Sequence, residues 1–235
     1  MREYLEEGLA ALGLDPPPGA AAALEAYAGL LLEQNKVMNL TAITAPDQVA
    51  ALHLLDSAAL LKAADLAGRR IIDVGTGAGF PGLVLKVLEP TLTLTLLDSL
   101  GKRVDWLAAV GKALGVDGVE YLHARAEEQG LVPGYREGFD AAVSRAVAEL
   151  RFLCELCLPF VKVGGLFLAM KSTDCEEELT QAEGALRLLG GTVRDLWDYT
   201  IPGTQVRHRV VCVEKTAPTP GGYPRRWAKM KRAPL

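Results

Sequence analysis

The run Ile71-Ile72-Asp73-Val74-Gly75-Thr76-Gly77-Ala78-Gly79-Phe80-Pro81-Gly82 begins as a short apolar strand, empties into a glycine-rich turn and passes into a helix over Leu83 to Leu88. Glycines so spaced let the backbone turn sharply and approach a ligand closely, which a Cβ would prevent. Toward the C-terminus, strands and helices alternate. Thr91 to Leu97 alternates polar and apolar residues and stops at Asp98. Val104, Leu107, Gly111 and Leu114 mark a helix, and Gly118 to Leu122 a third strand. Phe139 to Val143 is a fourth strand, followed by the helical stripe Leu150, Cys154 and Cys157. Leu166 to Met170 is a fifth, followed by the stripe Cys175, Leu179, Ala182, Leu186 and Leu189. Such interleaving predicts a mostly parallel sheet with helices on both faces. The last two extended runs, Thr192 to Tyr199 and Val206 to Lys215, are separated only by Thr200-Ile201-Pro202-Gly203-Thr204-Gln205. That gap is too short for a crossover helix, so the pair must be antiparallel.

Before Arg70 the chain reads as helices. Leu5, Leu9 and Leu12 repeat at helical spacing until Asp15-Pro16-Pro17-Pro18-Gly19 ends the segment, and a second periodic run covers Ala20 to Val37. Pro46 opens a third helix, with Leu52, Leu55 and Ala59 on one face and His53, Asp56 and Ser57 on the other. The expected organisation is therefore a helical extension over 1–68 packed on the core, an α/β domain over 69–215, and a basic tail over 216–235.

The composition excludes several classes. A chain of 235 residues, half of them apolar and 23% charged, can bury a sizeable core and is not a disordered polymer. No stretch approaches the roughly 18 uncharged apolar residues of a membrane span. Met1-Arg2-Glu3-Tyr4-Leu5-Glu6-Glu7 is too acidic for an export signal, and the four cysteines suit a reducing cytoplasm. The net charge of −4 hides an asymmetry: the last twenty residues carry Arg225, Arg226, Lys229, Lys231 and Arg232 and no acid. The remainder has 20 basic and 29 acidic residues, a net of −9. An acidic body with a +5 end points to a polyanion partner.

Gly77-Ala78-Gly79-Phe80-Pro81-Gly82 matches G-x-G-x-x-G, and Asp98 lies 21 residues after Gly77, which alone fits a dinucleotide. Two features oppose a nicotinamide-dependent oxidoreductase. Asp73, inside the strand, would repel a pyrophosphate but suits a ligand with an amino group and a sulfonium. A single α/β domain also leaves little room for a dehydrogenase's separate substrate domain. An α/β sheet that ends in one antiparallel hairpin is the architecture of class I, Rossmann-like methyltransferases. We therefore read Gly75 and Gly77 as lining an S-adenosylmethionine site, with Asp98 accepting the ribose hydroxyls. Methyl transfer needs proximity and orientation above all. The residues after the fourth strand, Ser144-Arg145-Ala146, lack the Asp/Asn-Pro-Pro-aromatic signature of amine methylation, and no cysteine stands out as a nucleophile. Guanine N7 needs no general base, and none is evident.

Several segments together resemble one family closely: Asn35-Lys36-Val37-Met38-Asn39-Leu40-Thr41, His53 to Ser57, Asp73 to Gly82, Leu97 to Ser99 with Lys102-Arg103, Arg125-Ala126-Glu127, Phe139-Asp140 with Ser144-Arg145-Ala146, and Tyr223-Pro224-Arg225-Arg226 with Pro234-Leu235. The family is ribosomal RNA small-subunit methyltransferase G, also called glucose-inhibited division protein B. The resemblance spans nearly the whole chain. It implies S-adenosylmethionine-dependent N7 methylation of one guanosine in the 530 loop of 16S ribosomal RNA. It also implies cofactor-binding roles for Gly75, Phe80, Ala126, Glu127 and Arg145. Ala228 and Met230 depart from the family's tail pattern.

Plainer readings stand beside these. Asn35 and Asn39 also suit simple helix caps, and His53 and Asp56, one turn apart, suit a structural hydrogen-bonded pair. Cys154-Glu155-Leu156-Cys157 has metal-like spacing, but no second pair completes a zinc site, so a packed core and no metal are expected. No general acid or base is assigned; Arg145 either orients the methyl transfer or forms an ordinary salt bridge. Lys102, Arg103, Arg207, Arg209, Arg225 and Arg226 are candidates for phosphate contacts, with Tyr223 and Trp227 placed to stack on bases. The expected partner is 16S RNA or the small ribosomal subunit, bound by a monomer. The competing classes are an RNA- or ribosome-binding module with a vestigial cofactor pocket, and the oxidoreductase.

Overall fold

A computed structural model describes all residues from Met1 to Leu235. Seven strands form one sheet: β1 (Arg70–Val74), β2 (Thr93–Asp98), β3 (Val119–His123), β4 (Phe139–Arg145), β5 (Val161–Ser172), β6 (Gly191–Thr200) and β7 (Arg207–Lys215). Their order is β3-β2-β1-β4-β5-β7-β6. The first five run parallel, and β7 lies antiparallel between β5 and β6. The sheet is thus the expected mostly parallel, seven-stranded α/β class I arrangement with a terminal hairpin. The chain winds outward from β1 through β2 to β3, then returns to place β4 on β1's other side. A crevice opens at the carboxyl ends of the strands where that direction reverses.

The period-two pleat sorts each strand's side chains between two cores. Ile71, Leu94, Leu96, Val143, Leu168 and Val210 face one apolar cluster, and Ile72, Leu97, Ala142, Phe167 and Val211 face the other. The first cluster is covered by α1 (Arg2–Ala11), α2 (Ala20–Met38), α3 (Pro46–Val49), α4 (Asp56–Ala58), α5 (Leu60–Ala63), α6 (Gly82–Leu88) and α7 (Gly101–Leu114). Leu5, Leu24 and Leu31 of the N-terminal helices belong to the same cluster as Leu83 and Leu94, so those helices roof one face of the sheet. The second is covered by α8 (Ala126–Gln129), α9 (Leu150–Cys157), α10 (Glu176–Leu189) and α11 (Trp227–Arg232).

Two expectations change. Between α3 and α4, residues Ala50–Leu55 form a π-helix. The extra residue per turn rotates the following side chains, so that Asp56 and Ser57, expected on a polar outer face, are buried with Leu54 and Leu55. The basic end is not a free tail. Met230 is fully buried, and Tyr223, Trp227 and Leu235 pack on the second cluster. Arg136, which the sequence reading passed over, holds this segment by donating to the carbonyls of Thr219 (2.7 Å), Pro220 (3.1 Å) and Tyr223 (2.6 Å). Arg225 donates to both carboxylate oxygens of Glu155, a side chain only 2% exposed. Truncation after Lys215 should therefore destabilise the body rather than remove an arm. Glu155→Ala, which leaves a largely buried guanidinium unpaired, should cost about 3–5 kcal/mol in urea unfolding. A truncated chain that unfolds at the wild-type midpoint would show that the packing is unimportant.

Candidate cofactor cleft

Three loops at the carboxyl ends of adjacent strands build the site. After β1, Gly75, Gly77 and Gly79 all adopt positive φ, a region costly for residues bearing a Cβ. The three serve different ends: a Cβ on Gly75 would lie 2.7 Å from the Val147 side chain. A Cβ on Gly79 would lie 2.3 Å from the Tyr27 hydroxyl, so that glycine is required by packing. A Cβ on Gly77 would meet only the Gly75 carbonyl at 3.9 Å and otherwise points into open space. Gly82 lets α6 approach β1, since a Cβ there would lie 2.8 Å from Asp73.

Asp73 has a different position from the one expected. It is fully buried and absent from the cleft wall. Its Oδ2 accepts hydrogen bonds from the Thr76 hydroxyl and the Gly82 N–H, each at 2.8 Å, so it ties the loop's beginning to its end. Oδ1 has no partner. Burial pushes this carboxyl up to about 6, against the opposing pull of those two hydrogen bonds.

After β2, Asp98 accepts the Gly77 N–H on Oδ2 and the Leu100 N–H on Oδ1, both at 2.9 Å. Each oxygen keeps a second lone pair. Because α7 begins almost at once, Arg103 in its first turn folds back to 3.6 Å from Asp98. Arg103 thus belongs to this cleft rather than to an outer phosphate-binding face. After β4, Arg145, Ala146 and Val147 form the third wall.

The cleft so enclosed has a volume of about 410 Å³, within the ~300–1,000 Å³ of small-molecule sites. Of the residues expected to hold a cofactor, Gly75, Gly77, Phe80, Asp98 and Arg145 line it. Ala126 and Glu127 do not. They open α8 one strand farther out, where both are buried and Arg125 donates to Glu127 at 2.8 Å.

The N-terminal helices supply the remaining wall through a buried polar network. Asn35 accepts the Thr41 N–H and donates to the Thr41 carbonyl, both at 2.9 Å, which fixes the loop after α2 against the cleft. Arg145 donates to the Leu52 carbonyl (3.1 Å), to Asp56 Oδ2 (2.9 Å) and to His53 Nδ1 (3.1 Å). A guanidinium can only donate, so His53 Nδ1 is the acceptor and the ring proton sits on Nε2, donated to Thr41 Oγ1 at 2.7 Å. Burial, reinforced by the Arg145 charge, pushes His53 down to about 4, so it is neutral at pH 7. Its ring stacks on Phe80 with centroids 4.7 Å apart. Asp56 Oδ1 accepts from the Tyr199 hydroxyl (2.7 Å) and His208 Nδ1 (2.8 Å). Burial alone would raise the Asp56 carboxyl, but the His208 hydrogen bond, the Arg145 charge and the Tyr199 hydrogen bond hold it below the usual range. His53 and Asp56 are thus joined through Arg145 rather than to each other. Tyr199, from the terminal hairpin, escaped the sequence reading because nothing local marks a contact across 143 residues, and His208, beside the candidate phosphate contacts Arg207 and Arg209, is turned inward to Asp56 instead.

The other sequence candidates divide clearly. Lys102 and Arg226 are exposed. Arg207 is mostly exposed and 3.8 Å from Asp198. Arg209, 13% exposed, is clamped by Asp198 (2.6 and 3.0 Å) and Glu176 (2.8 Å), and Arg225 by Glu155. Neither of these last two has a guanidinium free for a phosphate. Cys154 and Cys157 are fully buried, and burial pushes the Cys154 thiol up to about 12 and Cys157 well above its ordinary value. Both are free cysteines packed in the core.

No helix is long and apolar enough to cross a membrane. Among solved structures, a SAM dependent methyltransferase from Aquifex aeolicus aligns with a TM-score of 0.53 and 18% identity, over 72% of this chain and 94% of its own. TrmN from Thermus thermophilus aligns at 0.52 and 24%, over 68% and 48%. These similarities establish the fold. The ribosomal RNA small subunit methyltransferase G of Symbiobacterium thermophilum is 45% identical over 240 aligned positions, covering 100% of this chain and 98% of that protein. Its namesake from Alkaliphilus metalliredigens is 44% identical, covering 98% and 97%. The sequence profile described as GidB: rRNA small subunit methyltransferase G matches residues 20–200. With the strand order, the glycine-rich cleft and this end-to-end similarity in agreement, the chain belongs to the rRNA small subunit methyltransferase G family.

Proposed function

We propose that the chain methylates N7 of one guanosine in the 530 loop of 16S ribosomal RNA, with S-adenosylmethionine as donor. Membership in the family carries the reaction class. The cleft at the β1/β4 crevice carries the cofactor assignment, because Gly77 there presents backbone without a side chain to open space. The residues fit the cofactor: Asp98 has lone pairs for ribose hydroxyls, and Gly77 allows close approach, while Gly75 makes room for Val147 at the cleft wall. Ala126 and Glu127, beyond the end of β3 and next to Asp98's strand, would hold the part of the cofactor that reaches past the ribose. The cofactor when bound supplies an electrophilic methyl group on a sulfonium.

The chain's own contribution is placement. Guanine N7 bears an available lone pair at neutral pH, so no proton need be removed, and His53, neutral and hydrogen-bonded on both nitrogens, acts as a strut rather than a base. Arg145 is held at three points and its charge is matched by Asp56. That pairing matters because positive charge passes to the base as the methyl moves. Two like charges about 5 Å apart at an effective dielectric near 20 repel by roughly 3 kcal/mol.

RNA phosphates would be met by Lys102, Arg207 and Arg226, joined by exposed Lys229, Lys231 and Arg232. Arg207 opens β7, and Lys102 sits in the first turn after β2. Substituting glutamine at Arg226, Lys229, Lys231 and Arg232 should weaken RNA binding and flatten the plot of log K against log salt by about 0.7 for each phosphate no longer neutralised. Affinity for S-adenosylhomocysteine should not change. An unchanged slope would remove this helix from the RNA surface. Such a protein would act in the cytoplasm on the small subunit or its RNA, as a monomer.

Transfer of tritium from labelled S-adenosylmethionine to undermethylated small subunits or 16S RNA, with the product mapped, tests the whole reading. Label at guanine N7 supports it; no label on RNA in either substrate refutes it.

A further inference from the structure

Beside the cofactor cleft lies a second cleft of about 460 Å³ whose wall includes Arg145, Glu178, His208, Leu52, Met170 and Val206. The two clefts share His53, Arg145 and Ala146, so the Arg145 guanidinium forms part of the partition between them. We infer that this second cleft receives the acceptor guanine, with Arg145 donating to its O6 and the Glu178 carboxylate accepting from its N1–H and N2 amino group. The inference rests on the reaction proposed above and adds the determinant of base identity.

The chemistry of the walls selects the base. An enzyme that methylates N7 must leave that lone pair facing the cofactor, so guanine is held by what remains: O6, which needs a donor, and N1–H with the N2 amino group, which need acceptors. Arg145 commits both Nη1 hydrogens and one Nη2 hydrogen to Leu52, Asp56 and His53. Its Nε–H and second Nη2–H carry no protein partner, so a donor stands at the partition, where the atom adjacent to N7 must lie. Glu178 lines only the second cleft. Its Oε2 takes the Leu150 N–H (2.7 Å) and the Lys171 ammonium (2.6 Å), and Oε1 has no partner. His208 donates from Nδ1 to Asp56 and so stays in the wall of this cleft. The order is therefore a donor at the partition and an acceptor, Glu178, beyond it. Guanine matches this order. Adenine inverts it, since it has an amino donor beside N7 and an acceptor at N1. Leu52, Met170 and Val206 supply apolar surface for the faces of the base.

Inosine, which lacks only the N2 amino group of guanosine, provides the test. With the methylated position mapped in the wild-type reaction, substrates carrying guanosine or inosine there are compared by kcat/KM. The wild type should prefer guanosine by about 10- to 100-fold, the scale of one buried hydrogen bond to a charged acceptor. In Glu178→Ala that preference should fall to within about twofold, while affinity for S-adenosylhomocysteine stays at the wild-type value. A merely structural loss would slow both substrates alike and leave the ratio intact, and an intact ratio overturns the assignment. Val206→Trp, on the exposed hairpin loop, offers a second arm should Glu178→Ala fold poorly. The indole should fill the cleft and cut transfer at least about 100-fold with cofactor affinity unchanged. Transfer at the wild-type rate in that variant would likewise overturn the inference. A wild type that labels no RNA guanine at all would instead refute the underlying activity.

Discussion

Asp56→Ala should lower stability by about 3–5 kcal/mol in urea unfolding and abolish most methyl transfer together. The carboxylate is 1% exposed and accepts three hydrogen bonds, from Arg145, His208 and Tyr199. Removing one partner of a buried ion pair leaves the other charged and desolvated, which costs far more than the pair contributes. Here the orphan would be Arg145, only 14% exposed. It would be driven toward solvent, and the partition between the two clefts would go with it. The hydrophobic truncation is a small part of the cost, since alanine loses little apolar area. The pH dependence has a definite sign. Because the folded carboxyl sits below its ordinary value, Asp56 stabilises the wild type above the usual carboxylate range, and that contribution disappears as pH falls through the folded value. Asp56→Ala should therefore show a shallower acid-side loss of stability than the wild type. A variant within about 1 kcal/mol of the wild type, with the same acid limb, would show that the network is incidental.

Gly77→Val should reduce S-adenosylhomocysteine affinity at least about 100-fold while leaving a folded protein. The position has φ +59°, so a β-branched residue is strained there, at roughly 1–2 kcal/mol. The side chain itself would meet no protein wall, only the space assigned to the ligand. Overpacking a filled site typically costs about 1–3 kcal/mol, and the lost fit adds to the strain on the loop. Gly79→Val is the instructive contrast. Its Cβ would lie 2.3 Å from the Tyr27 hydroxyl, a side chain wholly inside the first core, so that variant should fail to fold. Calorimetric titration of the Gly77 variant, beside a thermal melt, separates the two cases. Retained affinity at Gly77 would mean that the ligand lies elsewhere.

The second strand, Thr93–Asp98, was legible because its alternation is local, and so was the five-strand rhythm. The terminal hairpin was legible because six residues cannot make a crossover. Gly75 and Gly77 could be named from the loop because a glycine-rich turn between strand and helix already implies where a ligand sits, and Asp98 because it ends the second strand, whereas Phe80 came only from the family resemblance. Arg145 was named because it follows the fourth strand, but its purpose was not, since its partners lie on a helix about ninety residues earlier. Lys102, Arg103, Arg207, Arg209, Arg225 and Arg226 looked alike in one dimension. In three they separate into exposed cations, a cleft wall in Arg103, and two clamped guanidinium groups in Arg209 and Arg225.

By itself the sequence determined the order and type of the elements, the glycine-rich loop and the acidic residue that ends the second strand. These follow from periodicity and turn chemistry, which act over a few residues. Only the tertiary structure decided which charges neutralise one another. It turned Asp56 inward through a π-helical stretch, brought His208 to it across the sheet, and folded the basic end onto Glu155. Those outcomes depend on what burial brings within hydrogen-bonding reach, and no spacing along the chain encodes that distance.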